Sequence, residues 1–138
     1  MPEIQLDIVS AERALFSDKV RRLSVSGEQG ELGIEPGHTA LLTRLKPGAV
    51  ECLHLSGEEE SFYISGGILE VQPNCVTILA DTAIRAPDLD EAAAEAAQRA
   101  AESQLSNSDA KIDYATALSD LAQASAQLRL IRKLRGKG

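Results

Sequence analysis

Apolar and polar residues alternate along the first part of the chain, up to about Pro87. Ile4, Leu6 and Ile8 are separated by polar residues, and this period of two predicts a strand with one face inward. Segment 76–80 is apolar throughout, which predicts a central strand. The same alternation recurs in three further segments, which are 22–26, 62–65 and 69–72.

Turn-forming residues separate these segments. Glycine, and proline next to glycine or asparagine, supply the backbone conformations that tight turns require. Many short strands at this spacing predict an antiparallel β-sandwich or barrel. The turn signals are Gly27, Gly30, Gly33, Pro36-Gly37, Pro47-Gly48, Gly57, Gly66-Gly67 and Pro73-Asn74.

After Pro87 the pattern becomes helical. Proline is absent there, alanine is abundant, and Asp88 with Glu91 three residues later predicts a capped helix that runs to about Ser103. A second helix is predicted from Ile112 or Asp113 to Leu134, with a turn at 106–109 and Gly136 as its end. Its apolar stripe is Leu118, Leu121, Ala124, Leu128, Ile131 and Leu134.

The short connection between the helices favours an antiparallel hairpin. The predicted fold class is therefore mixed, with an antiparallel β-sandwich over 1–87 followed by a two-helix hairpin over 88–138. A buried alanine methyl contributes roughly 0.8 kcal/mol, against ~1.5–3 kcal/mol for a buried leucine. We therefore predict a hairpin that docks weakly and can detach or open. The first helix offers Leu89, Ala93, Ala96, Ala97 and Ala100.

Composition narrows the range of partners. The net charge is −7 over 138 residues, and aromatic residues make up 3%. Nucleic-acid binding depends on phosphate neutralisation and often on stacked rings, so nucleic acid does not fit this chain. No apolar run approaches the ~20 residues of a membrane span. The first residues show no signal-peptide pattern, so we expect a cytosolic protein.

Charge is distributed unevenly. The last 18 residues carry no acidic side chain, although the rest of the chain is acidic. A basic helix end complements the helix dipole, and it equally fits an acidic partner surface. The residues alone leave both explanations open. The basic residues are Arg129, Arg132, Lys133, Arg135 and Lys137.

No group of residues assembles into an active site. The sequence lacks a Gly-Lys-Ser/Thr phosphate loop, a GxGxxG motif and a GxSxG motif. Segment 58–60 holds three glutamates, which we predict form an exposed hairpin tip rather than an acid–base pair. A binding or regulatory module is therefore favoured over an enzyme.

Cysteine and histidine do not suggest a metal centre. Cys52 and Cys75 form no CxxC pair, and a zinc site would need both of them together with His38 and His54 at unfamiliar spacings. Two buried thiols inside strands are the simpler prediction. No metal site is predicted.

Four segments follow one another along the chain. They are Gly30-Glu-Leu-Gly-Ile-Glu-Pro-Gly-His38, Ser65-Gly-Gly-Ile-Leu-Glu-Val-Gln-Pro73, Leu79-Ala-Asp-Thr-Ala-Ile-Arg85 and Leu89-Asp-Glu-Ala. In this order they resemble the epsilon subunit family of bacterial F-type ATP synthases, which is called delta in mitochondria. The resemblance covers nearly the whole chain.

The resemblance implies a non-catalytic rotor subunit of a proton-translocating ATP synthase. Its sandwich is expected to contact the gamma subunit and the ring of c subunits, on the cytoplasmic face of the bacterial inner membrane. Membrane association is expected only through the complex. By resemblance, the c ring faces Gly30, Glu31 and Leu32. The side toward gamma is expected to include Ser10, His38 and Thr43.

The resemblance also implies a regulatory hairpin. When extended, its second helix is expected to reach the alpha and beta subunits and to inhibit ATP hydrolysis. The implied contacts with this catalytic head are Ser108, Arg129, Arg132, Lys133 and Arg135.

Some members of the family bind ATP on the compact hairpin through an Ile/Leu-Asp-x-x-Arg-Ala motif. Leu89, Asp90 and Ala94 match it, but Ala93 stands where the motif has arginine. Phosphate recognition relies on such a cation, so we predict weak or absent ATP binding, with Arg99 as the substitute cation. No other cofactor is expected.

Two alternatives stand beside the leading hypothesis. A β-sandwich adaptor with a mobile hairpin could bind another coiled-coil partner and would need no acidic surface. A small hydrolase that uses Glu or His is disfavoured, because no nucleophile is paired with a base.

Overall fold

The computed structural model describes residues 2–107 and 113–137. The chain divides into two compact units, Met1–Pro87 and Asp88–Gly138. Within these described residues, the first unit contains eight strands and the second contains two helices. The strands are β1 (Ile4–Ser10), β2 (Ala14–Gly27), β3 (Gly30–Ile34), β4 (Leu41–His54), β5 (Glu59–Ile64), β6 (Gly67–Gln72), β7 (Cys75–Ala80) and β8 (Ala83–Arg85).

Two long strands, β2 and β4, each contribute to two layers of a sandwich. The first halves of both strands lie in a layer with β1, β7 and β6. Their second halves pair with each other and lie in a layer with β3, β5 and β8. The predicted sandwich is therefore present. Its sheet is antiparallel except between β1 and β7, which are parallel.

The prediction of a turn at Pro47-Gly48 is wrong, because β4 continues through both residues. β4 pairs with β6 as far as Leu45 and with β5 from Gly48 onward. Proline cannot donate a ladder hydrogen bond, so it is tolerated where a strand changes partners. A Cβ on Gly48 would lie 2.5 Å from the Ser26 hydroxyl oxygen, so β2 and β4 can cross this closely only with glycine there.

The core of the first unit is formed by large aliphatic side chains and Phe62. β7 lies between β1 and β6, as predicted for a central strand, but only one of its faces is covered, and Leu79 is 49% exposed. The fully buried core side chains include Leu6, Ile8, Val20, Val25, Ile34, Val50, Phe62, Ile64, Leu69 and Ile78.

The second unit is an antiparallel pair of helices, α1 (Glu91–Ser106) and α2 (Tyr114–Lys137). The predicted N-cap at Asp88 is wrong. Asp88 ends a short 3₁₀ turn, and the Asp90 carboxylate accepts a hydrogen bond from the Ala93 amide at 3.1 Å. α1 is therefore capped two residues later than predicted, although its N-cap is still an aspartate.

α2 also differs from its prediction at both ends. The Asp113 carboxylate accepts hydrogen bonds from the Thr116 amide and hydroxyl, at 3.2 and 2.7 Å, so Asp113 precedes the first turn as its cap. The helix passes through Gly136 instead of ending before it. Of the predicted turn at 106–109, Ser106 ends α1 and Asn107 is its C-cap, whereas 108 and 109 lie outside the described residues.

The hairpin buries a different face of α1 from the predicted one. Ala94 and Ala101 are buried, whereas Ala93, Ala97 and Ala100 are exposed and line a groove of about 450 Å³ between the helices. Alanine spans a little over half of the circumference of α1, so its apolar pattern defines no single narrow face. On α2, Ala117, Ala124 and Leu128 are buried, but Leu118 is 56% exposed. No helix among the described residues is both long and apolar enough to cross a bilayer.

Candidate functional site

The outward face of the first sandwich layer carries three exposed apolar side chains, Leu42, Ile68 and Leu79, which we call the apolar patch. Their exposed fractions are 70%, 42% and 49%. Ile68 on β6 pairs directly with Leu79 on β7 and with Arg44 on β4. Leu42 lies in the next outward row, opposite Glu70. Exposed apolar side chains grouped on one face of a sheet make that face a candidate site of interaction.

The apolar patch arises from three pairs of adjacent apolar residues, at 41–42, 68–69 and 78–79. Successive side chains of a strand point to opposite faces, so one residue of each pair must face outward. The buried partner at the second pair is Leu69 and at the third pair is Ile78. The sequence analysis missed this site, although adjacent apolar residues within predicted strands were its signal.

A polar cluster borders the apolar patch on β1, β2 and β7. The Ser17 hydroxyl donates to the Asp7 carboxylate at 2.5 Å, and the Gln5 amide donates to Ser17 at 3.1 Å. The Cys75 thiol lies 3.9 Å from the other Asp7 carboxylate oxygen. An apolar centre bounded by polar groups is the usual arrangement of a protein–protein interface.

The two thiols differ in environment. Cys52 is buried in β4, as predicted, and burial raises the pKa of its thiol to about 11. Cys75 is only partly buried, so the prediction of two buried thiols holds for one of them.

The second layer contains a charged network that the sequence analysis did not predict. Glu60 accepts from His54 Nε2 at 2.8 Å and from Arg85 Nη1 at 2.5 Å. Arg85 also donates to the Leu15 carbonyl at 2.8 Å, and its guanidinium lies 5.4 Å from the centre of the Phe62 ring. The predicted exposed tip at 58–60 is therefore wrong for Glu60, which lies in β5 and is partly buried.

The three residues expected to face gamma do not lie on one face of a strand. Ser10 ends β1, where its hydroxyl donates to the Arg13 carbonyl at 3.3 Å. Thr43 occupies an inward row of the sheet, opposite the buried Leu69. His38 is exposed in the loop after β3, beside an open groove of about 540 Å³ on the second layer.

The residues expected to face the c ring do lie together. Gly30, Glu31 and Leu32 begin β3 directly after the β2–β3 turn. Gly30 has φ +133°, which suits glycine, and Glu31 is exposed. The amide of Glu28 in the same turn donates to the Arg44 carbonyl at 3.0 Å, which anchors the turn to β4.

The basic end of α2 faces carboxylates of α1. Arg135 pairs with Glu91, and Arg132 Nη2 lies 3.9 Å from a Glu95 oxygen. Arg129 and Lys133 are exposed on the same helix. Ser108, the other residue expected at the catalytic head, lies outside the described residues.

The residues of the ATP motif are only partly brought together. Asp90 is the cap of α1, and Ala94 is buried. Leu89 is partly buried just before the cap. Arg99 is exposed five residues beyond Ala94, about 140° around the helix and about 7.5 Å along it. The hairpin therefore does not place Arg99 where the missing arginine would be.

No group of three or more histidine, cysteine, aspartate or glutamate side chains in the described part of the chain is arranged to hold a metal ion.

Comparisons with known proteins give consistent matches. The model of the ATP synthase delta/epsilon chain β-sandwich domain matches residues 3–86, and the model of the delta/epsilon long α-helix domain matches 88–132. The ATP synthase epsilon chain of Nitrosococcus oceani is 54% identical over 134 residues, which cover 97% of this chain and 96% of that relative.

Two solved structures share the fold. A chain of the Euglena gracilis mitochondrial ATP synthase, in a structure of OSCP, F1 and the c-ring, superposes with a TM-score of 0.76 at 21% identity. The alignment covers 99% of this chain and 82% of that one. A chain of the Tetrahymena thermophila central stalk and c-ring gives 0.55 at 16% identity, with 95% of both chains covered. From the matches to both family models and to the Nitrosococcus protein, the chain belongs to the delta/epsilon family of ATP synthase subunits.

Proposed function

We propose that this chain is a non-catalytic rotor subunit of a proton-translocating F-type ATP synthase. In this role it joins the central stalk to the membrane ring of c subunits and inhibits ATP hydrolysis through its helices. It acts at the cytoplasmic face of the bacterial inner membrane and is held there by the complex. The observation that carries the proposal is the apolar patch, which gives a member of this family a surface for binding a stalk partner.

The apolar patch is proposed to bind the gamma subunit. Leu42 precedes Thr43, one of the residues expected to face gamma, and Leu79 pairs with Val9, which precedes Ser10. The patch thus adjoins two of the three expected contacts. Desolvation of large apolar side chains at the centre of an interface supplies most of its binding free energy.

The β2–β3 turn is proposed to contact the c ring. Glu31 presents an exposed carboxylate there, and the neighbouring Leu32 packs against the sandwich core. The core contact holds the turn in place, so the turn can transmit torque without deforming. This rigidity is what a coupling contact requires.

The hairpin is proposed to be the inhibitory element, with an acidic surface of the beta subunit as its target. Arg129, Arg132 and Arg135 are spaced three residues apart and follow one another along α2. Guanidinium groups bind carboxylates through charge-assisted hydrogen bonds. ATP binding to the isolated chain is proposed to be weak or absent, because Arg99 lies away from Asp90 and Ala94.

A matched pair of variants tests the stalk contact. Leu42→Asp places a charge on the apolar patch, whereas Leu55→Asp makes the same change at a leucine in the β4–β5 turn that is 37% exposed. We expect Leu42→Asp to weaken binding to a gamma-containing head depleted of its own epsilon subunit by about tenfold or more. Leu55→Asp should bind as the unaltered chain does. Equal binding by all three chains in an equilibrium titration would exclude the apolar patch as the stalk contact.

A further inference from the structure

Two ion pairs join the helices of the hairpin at the end where α1 begins and α2 ends. Arg135 pairs with Glu91, and Arg132 lies 3.9 Å from Glu95. Glu91 and Glu95 are four residues apart and therefore share one face of α1. Arg132 and Arg135 are three residues apart and share one face of α2. The two pairs are thus successive contacts between the same two faces, and we call them the latch.

We propose that the latch makes α1 an internal competitor for the basic end of α2, so that Glu91 and Glu95 must release the arginines before an acidic protein surface can bind them. This inference rests on the proposed function, in which the catalytic head supplies that acidic surface. A guanidinium that already faces one carboxylate attracts a second one less strongly, because part of its charge is neutralised. The α1 carboxylates therefore regulate inhibition without touching the head.

The exposure of the latch makes it reversible. The side chains of Arg132 and Arg135 are 58% and 64% exposed, and those of their partners Glu95 and Glu91 are 39% and 32% exposed. Exposed ion pairs shift an equilibrium by about two- to fivefold each. Such pairs are strong enough to bias the hairpin and weak enough for a partner with several carboxylates to displace them.

The α1 side of the hairpin contributes little apolar packing. The buried side chains of α1 are Ala94 and Ala101, beside which a groove remains open, whereas α2 buries Leu128 and Leu130. A buried alanine stabilises the closed state less than a buried leucine does. The two ion pairs therefore add to what apolar burial contributes to the closed hairpin.

The chain offers a matched control on α1. Glu102 is an exposed glutamate of this helix and forms no ion pair among the described residues. Glu102→Gln thus removes the same charge from α1 as Glu91→Gln or Glu95→Gln but leaves the latch intact.

The first experiment titrates the full chain into a catalytic head depleted of its own epsilon subunit and follows ATP hydrolysis. We expect Glu91→Gln and Glu95→Gln to lower the apparent inhibition constant by about two- to fivefold each, and the double variant by about tenfold. Apparent affinity rises with the population of the binding-competent state, and opening the latch raises that population. Glu102→Gln should change the constant by less than about twofold.

A second measurement follows the latch without the head. Spin labels at the exposed positions Ala92 and Gly136, with Cys52 and Cys75 replaced, report the distance between the two helix ends in the free chain. The double variant should increase the long-distance population about tenfold relative to Glu102→Gln. An unchanged distance distribution would show that the latch does not hold the hairpin closed, and would overturn the inference.

The outcomes separate this inference from the proposed function. If the unaltered chain inhibits but both latch variants behave as Glu102→Gln does, the competition is absent and the proposed function stands. If the unaltered chain does not inhibit, the proposed function falls and the inference with it.

A charge exchange, Glu91→Arg with Arg135→Glu, should keep the hairpin closed but weaken inhibition, because a carboxylate then stands where the head requires a cation. Inhibition at full strength by this variant would contradict the inference.

Discussion

Glu60 illustrates how one carboxylate can join distant parts of the first unit. It lies in β5 and pairs with His54 at the end of β4 and with Arg85 in β8. Arg85 also donates a hydrogen bond to the Leu15 carbonyl of β2. β8 has only three residues, so its ladder with β5 is short. Arg85 therefore adds a side-chain anchor to the last strand before the helices. The sequence placed Glu60 in a run of three glutamates and offered no sign that it differs from the other two.

At the residue scale, Glu60→Gln tests this anchor. The substitution keeps the shape of the side chain but removes the charge that both His54 and Arg85 face. We expect the free energy of unfolding to fall by about 1–2 kcal/mol, because the network is only partly exposed. Glu58→Gln, an exposed neighbour in the same run, should change it by less than about 0.5 kcal/mol. Urea denaturation of the full chain measures both, and equal effects would contradict the assigned role.

At the scale of elements, both helices begin at an aspartate cap, and both caps were harder to place than the helices themselves. Asp90 caps α1, although Asp88 is the aspartate that has a glutamate three residues later. Which aspartate caps depends on where the backbone leaves its extended conformation, and Asp90 has extended φ and ψ of −102° and 107°. Because Asp88 and Asp90 can both cap a helix, the sequence does not determine at which of them α1 begins.

The cap of α2 predicts a pH dependence. The hydrogen bond from the Thr116 hydroxyl lowers the pKa of Asp113 below its ordinary value of 3.8. Stabilisation by this cap is therefore complete above that value and is lost as pH falls through the lower pKa of the folded state. We expect the Thr116 amide resonance to shift in that acidic range as the first turn of α2 frays.

Asp113→Asn is the matched control, because asparagine keeps an acceptor oxygen and does not titrate. In this variant the chemical shift of the Thr116 amide should stay constant over the same pH range. If the chemical shift changed with pH by the same amount in this variant, other carboxylates of the hairpin would be the cause.

At the scale of the whole molecule, the interior of each unit is packed with a different kind of side chain. The sandwich buries large aliphatic and aromatic residues such as Phe62, Leu69 and Ile78, whereas α1 buries alanine and α2 buries alanine with Leu128 and Leu130. We therefore expect stability to be distributed unevenly along the chain. The alanine-rich sequence predicts a hairpin that opens while the sandwich stays folded.

Amide hydrogen exchange tests that contrast. We expect interior amides of α1 and α2 to exchange at least about a hundredfold faster than those of β6 and β7, because opening the hairpin exposes little apolar surface. Slow and uniform exchange across both units would show that they open together, and the mobile-hairpin prediction would then fail.

The sequence by itself determined the kinds of element, their order and the family. Alternation in segments such as 4–8 and 69–72 marks strands because a strand turns every second side chain inward, and this signal is local. The tertiary structure alone decided which residues meet. Strand register, which pairs residues distant in sequence, brings Ile68 beside Leu79 and lets β4 continue through Pro47 while its partner changes from β6 to β5. Likewise, an alanine-rich helix carries no signal for its buried face, so only the packed hairpin could pair Glu91 with Arg135.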